Sequence, residues 1–189
     1  MAAVAAHPVQ SRLKFNRLGL WLFFVSEVFM FGGLLVMRFR LWGIHRPDLD
    51  QTLGFIVTTI LLTSSFFMNR AEMAIAHDDR RNFLWGLLIT GVLGALFLVG
   101  VVGFEWTGHV RPQDGVWGAV LYGMTGLHAL HVLSGVIFIV FVGLRGRKGH
   151  YSSQEHWAVE ACAIYWHFVD VVWVFFYPAL YLIGAVTHV

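Results

Sequence analysis

Long apolar stretches alternate with short polar segments along the whole 189-residue chain. A helix needs about 20 mainly apolar residues to cross a hydrocarbon core of about 30 Å. The polar segments are too short to form a separate soluble domain. The pattern therefore predicts a single membrane domain over residues 1–189, an all-α bundle of five transmembrane helices whose approximate spans are 18–38, 53–73, 83–106, 116–144 and 157–184.

The composition agrees with lipid as the main solvent, because 58% of the residues are hydrophobic and only 13% are charged. The net charge of +2 is small, and the basic residues are dispersed between apolar runs, which argues against nucleic acid as a partner. Cys162 is the only cysteine, so neither an intramolecular disulfide nor a CxxC metal or redox pair can form.

The distribution of Lys and Arg predicts the orientation, because short loops that carry these residues stay on the cytoplasmic side. Nine lie in segments on the same side as the N-terminus: Arg12, Lys14, Arg17, Arg70, Arg80, Arg81, Arg145, Arg147 and Lys148. The other side has four, which are Arg38, Arg40, Arg46 and Arg111. We expect the N-terminus inside and the C-terminus outside.

Ionisable side chains occur within the apolar runs, where each costs at least about 2.5 kcal/mol unless it faces a partner or water. Glu27 lies roughly 14 Å into the first span. His128 and His131 share a face of the fourth helix because they are three residues apart, and Glu160, His167 and Asp170 share a face of the fifth. The spacing predicts an interior polar cluster of His128, His131, Glu160, His167 and Asp170.

The residues alone leave three interpretations of these ionisable side chains open. Neutral histidines and Asp170 can hydrogen-bond one helix to another, a contact worth about 0.6 to 2 kcal/mol in lipid. A proton-linked role suits Glu27, because an apolar surrounding favours the neutral acid. Alternatively, His128, His131 and His167 supply imidazole ligands for a metal or haem, with Asp170 as a carboxylate ligand or an orienting group.

Three segments carry a resemblance to a known family. EACAIYWHFVDVVWVFFY at 160–177 resembles the last helix of the third subunit of cytochrome c oxidase, in the haem-copper oxidase superfamily. DGVWGAVLYGMTGLHALHVLSG at 114–135 resembles the penultimate helix of that family. WLFFVSEVFMFGG at 21–33 contains a Ser-Glu pair that matches its membrane-embedded glutamate, which identifies Glu27 as the corresponding acid.

The resemblance implies a five-helix bacterial form that lacks the first two helices of the longest members. It implies an accessory, non-redox and non-catalytic subunit of a proton-pumping terminal oxidase, which passes electrons from cytochrome c to oxygen in the bacterial cytoplasmic (inner) membrane. Haem and copper are expected in partner subunits, with no cofactor on this chain. The expected partners are catalytic subunit I above all, subunit II, small subunits, membrane lipids and a respiratory supercomplex. The implied roles are to stabilise subunit I and to support proton uptake and sustained turnover.

Two alternatives stay open beside this interpretation. The resemblance also fits the third-subunit-like protein of a quinol oxidase or one associated with nitric oxide reductase. A proton-coupled transporter belongs to another class, and it would need a substrate path within this chain, for which the sequence offers no broken helix.

A basic group follows the fourth span and comprises Arg145, Arg147, Lys148 and His150, called the basic cluster below. Basic groups beside a membrane attract anionic headgroups by about 1 kcal/mol each. The cluster is thus a candidate site for lipid headgroups, including those of a bound phospholipid, and the alternative is that it only fixes the topology.

Overall fold

The computed structural model describes residues 6–108 and 110–187, so the ends of the predicted domain, 1–5 and 188–189, lie outside it. The prediction of an all-α chain with five membrane-spanning helices is confirmed, since five helices are long and apolar enough to span a bilayer. These helices are α1 (Ala6–Trp42), α2 (Gln51–Ala76), α3 (Arg80–Leu98), α4 (Val116–Arg147) and α5 (Trp157–Tyr177). The single domain and the orientation of the termini stay predictions.

Side-chain caps fix the starts of α2 and α3. Asp50 accepts hydrogen bonds from the backbone N–H groups of Thr52 (2.9 Å) and Leu53 (3.0 Å), and Asp79 accepts one from Asn82 N (3.1 Å). The first backbone N–H groups of a helix have no carbonyl partner within it, so these carboxylates satisfy them. Both caps fall in the polar segments that the sequence places between spans.

The third and fifth spans do not end as regular α-helices. After α3 the chain continues as a π-helical segment, Val99–Phe104, and then as a 3-10 turn, Glu105–Thr107. After α5 a second π-helical segment, Pro178–Leu182, begins at a proline, which has no N–H to continue the α-helical pattern. The sequence predicted uninterrupted helices there, because an apolar run has the same composition in either geometry.

Two short strands, β1 (His45–Pro47) and β2 (Ala185–Thr187), pair in parallel. His45 lies opposite Ala185 and Pro47 lies opposite Thr187. The sequence did not predict this pair, because three residues are too few to show an alternating pattern. The pair joins the segment after α1 to the C-terminal segment.

The described chain forms two compact units, one through Gly33 and one from Leu34 onward. In the second unit α3 packs against α2 and α4, and α5 packs against α2 and α4. Small residues allow close approach: a Cβ on Gly86 would lie 2.8 Å from Ala71 Cβ, and one on Gly135 would lie 2.9 Å from the Trp166 ring. These four helices hold most of the predicted site residues.

Candidate functional site

Glu27 lies in the first unit, on the part of α1 that precedes Gly33, and its side chain is partly exposed. Ser26 Oγ donates to the carbonyl of Phe23 at 2.6 Å and lies 3.5 Å from Glu27 Oε1. A serine hydroxyl has one proton, so the shorter contact takes it and the contact to the carboxylate is weak. The acid therefore stands in an apolar helix with little support from its neighbouring serine.

His167 and Asp170 of α5 meet at one hydroxyl of α2. Ser65 Oγ lies 2.8 Å from His167 Nδ1, and it also donates to Asp170 Oδ2. Because the serine proton goes to the carboxylate, His167 Nδ1–H donates to the serine oxygen. The Asp170 side chain is 4% exposed, and its other oxygen has no hydrogen-bond partner among the described residues. The three side chains form a chain of donors that runs from the partly exposed imidazole to the buried carboxyl.

His128 of α4 is fully buried (0% exposed), and its surroundings are aromatic. Its ring centroid lies 4.8 Å from that of Trp173 and 5.5 Å from that of Phe97. His128 Nε2–H donates to the carbonyl of Val169 at 3.0 Å, while Nδ1 has no hydrogen-bond partner among the described residues. The imidazole thus ties α4 to α5 through one hydrogen bond and ring packing.

For the other two members of the predicted cluster, the structure shows contacts with other groups. His131 Nδ1–H donates to the carbonyl of Leu127 in its own helix at 2.8 Å. Glu160 lies in the first turn of α5, 3.4 Å from His156 Nε2, and about 15 Å along the helix from Asp170. Helical spacing predicts a shared face, but residues ten apart on that face differ in depth.

Glu72 of α2 is a residue that the sequence analysis overlooked. It is partly buried, and its carboxyl group interacts electrostatically with Glu160 and His156. Two acids and one histidine therefore meet where the end of α2 approaches the start of α5. The sequence signal for Glu72 is an acidic residue four positions before the end of α2.

Hydrogen bonds between tryptophans and hydroxyls join α2 to α5 and were also missed. Trp166 Nε1–H donates to Ser64 Oγ at 2.9 Å, and Trp173 Nε1–H donates to Thr58 Oγ1 at 2.9 Å. Each hydroxyl in turn donates a hydrogen bond to a carbonyl of α2. Ser64 Oγ donates to Leu61 at 2.6 Å, and Thr58 Oγ1 donates to Gly54 at 2.7 Å. Every polar atom in these two contacts is thus satisfied away from lipid.

Arg38 contributes to the predicted orientation as one of the basic residues opposite the N-terminus, and in the structure its side chain is 0% exposed. Its Nε donates to the carbonyl of Ala179 at 2.6 Å, one Nη to that of Gly43 at 3.0 Å and the other Nη to that of Ile183 at 2.5 Å. Its guanidinium carbon also lies 5.0 Å from the Trp42 ring centroid. The side chain therefore fastens the end of α1 to the segment that follows α5.

The basic cluster is exposed at the end of α4, where the chain turns toward α5. Nearby, Asp78 in the α2–α3 turn accepts hydrogen bonds from Ser153 N at 2.7 Å and Ser153 Oγ at 2.6 Å. These two bonds hold the pKa of the Asp78 carboxyl below its usual range. Arg80 also donates to the carbonyl of Arg147, so the two turns on this side of the bundle are joined at two points.

The chemistry of the site is that of hydrogen bonding within an apolar bundle. Among the side chains that the structure describes, those of residues 14–104, 106–108 and 110–187, no three of His, Cys, Asp or Glu are grouped closely enough to hold a metal ion. The structure brings together a histidine, a serine and an aspartate that are joined by hydrogen bonds, and it places a buried histidine against a backbone carbonyl. The fold and these groups define a multi-pass, all-α membrane protein.

Comparison with known proteins agrees with the resemblance. The family model described as cytochrome c oxidase subunit III matches residues 41–185, a range that begins after Glu27. The chain is 37% identical to cytochrome c oxidase subunit 3 of Thermostichus vulcanus over 96% of its length and 94% of that protein. It is 35% identical to the horse (Equus caballus) protein of the same name over 89% of its length and 70% of that protein. The chain belongs to the cytochrome c oxidase subunit III family.

Proposed function

We propose that this chain is the accessory, non-redox third subunit of a proton-pumping haem-copper oxidase that passes electrons from cytochrome c to oxygen. The observation that carries this proposal is the 37% identity to a cytochrome c oxidase subunit 3 along nearly the whole of both chains. A match over the full length supports a shared role better than a match at one motif. Catalysis then takes place in partner subunits, and this chain contributes no catalytic residue.

Its partners are catalytic subunit I above all, then subunit II, small subunits and a respiratory supercomplex. Haem and copper belong to those partners, and the complex lies in the bacterial inner membrane. The chain enters that membrane as one domain with its N-terminus inside and its C-terminus outside, which the excess of Lys and Arg on one side supports. In this orientation the basic cluster faces the cytoplasmic leaflet and attracts its anionic lipid headgroups.

The buried polar groups have two roles in this proposal. The hydrogen bonds of His128 and of the pair His167 and Asp170 hold α4 and α2 to α5, which gives subunit I a rigid surface to bind. Glu27 is the proton-linked acid, since it is an ionisable group within an apolar helix. It supports proton uptake and the persistence of turnover.

The proposal is tested by tagging this chain and purifying it from membranes in mild detergent. We expect haem- and copper-containing polypeptides to copurify and to oxidise reduced cytochrome c. A complex that oxidises only quinol, or one that reduces nitric oxide, would assign the chain to the alternative branches. A stable and active solitary chain would contradict an accessory role altogether.

The role of Glu27 is tested by Glu27→Gln, with the exposed loop variant Glu155→Gln as the control. We expect both complexes to assemble with normal initial rates, and only the Glu27 variant to inactivate faster during continuous turnover, with a changed pH dependence. Unchanged long-time kinetics across pH would refute the proton-linked role and leave the family assignment intact.

A further inference from the structure

A groove runs between α3 and α4 on the surface of the second unit and has a volume of about 630 Å³. Its walls are apolar and about half exposed, formed by Leu88 and Val92 of α3 and by Val140 and Leu144 of α4. Gly91 also lines the groove, and a Cβ there would meet only Ile139, at 3.6 Å. The groove is therefore open between Arg81 and Ala95 of α3 and between Val136 and Arg147 of α4.

One end of the groove is strongly basic. Arg81 at the start of α3 and Arg147 at the end of α4 both line it, and both side chains are exposed. Arg80 donates to the carbonyl of Arg147, which holds these two helix ends together. Asp79 interacts with Arg81, but its two oxygens accept hydrogen bonds from Asn82 N and Asn82 Nδ2. Arg81 and Arg147 thus both lie where the apolar walls end.

The length of the groove and the charge at its end suit a lipid as the occupant. Its lining runs from Arg81 to Ala95 along α3, which is about 21 Å at the rise of an α-helix. That length exceeds one leaflet of hydrocarbon, about 15 Å, so an acyl chain can lie along the apolar walls. The two exposed arginines at the end of these walls suit an anionic headgroup.

We propose that this groove binds one phospholipid with an anionic headgroup, its phosphate between Arg81 and Arg147 and one acyl chain along the apolar walls. This lipid site extends the attraction for headgroups proposed for the basic cluster, and it rests on the proposed function because it requires that the chain lie in a membrane. The lipid site then includes Arg81 and Arg147 but not Arg145. The Arg145 guanidinium carbon lies 5.5 Å from the Phe141 ring centroid instead. The phosphate receives two charge-assisted contacts, and the groove walls keep the acyl chain in place.

The test uses the purified complex in nanodiscs of phosphatidylcholine that contain a small fraction of phosphatidylglycerol with a photoreactive group in one acyl chain. Cross-linked peptides are mapped by mass spectrometry. We expect labelling of the α3 and α4 segments that line the groove, competed by unlabelled phosphatidylglycerol and not by phosphatidylcholine. The double variant Arg81→Gln with Arg147→Gln should weaken this competition about 30-fold. Arg111→Gln is the control, because Arg111 is exposed and lies outside both the groove and the basic cluster.

A second variant keeps the test independent of the arginines. Val140→Trp fills the groove from an exposed position and leaves both charges in place, so it should abolish groove labelling. Equal competition by the two lipids, unchanged labelling in the double variant, or a partner helix seated in the groove would each overturn the proposal. Oxidase activity and subunit content of the same samples report on the proposed function separately.

Discussion

Replacement of Arg38 should destabilise the chain more than any other loss of a single charge we propose to test. Its guanidinium satisfies three backbone carbonyls at helix ends, where the partial charge is negative, and is itself fully buried. Hydrogen bonds from a charged group contribute about 1.5 to 3 kcal/mol each, and the three share one cation, so they are less than additive. We expect Arg38→Met to lose about 4 kcal/mol of unfolding free energy and Arg38→Lys about 2, because an ammonium reaches fewer of these carbonyls.

The assay is thermal unfolding of the purified protein in detergent, followed by tryptophan fluorescence. For soluble domains of this size, a loss of about 4 kcal/mol lowers the Tm by roughly 10 °C, with about half that shift for lysine. Arg40→Met is the control, because Arg40 lies two residues along the same helix and is exposed. Equal Tm values for the Arg38 and Arg40 variants would refute the argument that the buried contacts fasten α1 to the C-terminal segment.

Three further predictions concern packing and pH. Ser65→Ala should lower the free energy of unfolding by about 1 to 3 kcal/mol, because it leaves the Asp170 carboxyl without its donor. The double variant with Asp170→Leu should lose less than the sum of the two single changes. Strict additivity in thermal unfolding would count against this coupling. Gly135→Leu should cost about 2 kcal/mol by forcing α4 and α5 apart, whereas a Tm equal to wild type would show that the helices can adjust. The pKa of Asp78 is depressed in the folded state, so its hydrogen bonds with Ser153 should be fully present above the ordinary value of 3.8 and be lost as pH falls through the lower folded value. Hydrogen exchange at the Ser153 amide measures this loss. Exchange that is unaltered by Asp78→Ala would contradict the prediction.

The sequence could predict those features that one helix contains within itself. Apolar runs of sufficient length gave five spans, and spacing placed His167 and Asp170 on one face. It could not predict Ser65 as their link, because that hydroxyl lies on a helix about 100 residues earlier, and its contact depends on how the helices pack. The sequence shows Arg38 only as a topology signal for a similar reason, because the three carbonyls that replace water around it come together only in the folded chain.

The contacts between α2 and α5 explain how helices recognise each other where hydrophobic attraction is absent. Lipid is as apolar as a leucine side chain, so apolar packing alone gives little preference for one helix rotation over another. Trp166 and Trp173 lie seven residues apart on α5, and their N–H groups find Ser64 and Thr58, six residues apart on α2. A rotation or slip of either helix would leave two indole donors unpaired in an apolar medium, at a cost of about 1 to 3 kcal/mol each. The register of α5, and with it the position of Asp170 beside Ser65, therefore depends on tryptophans that a hydropathy profile counts only as apolar bulk.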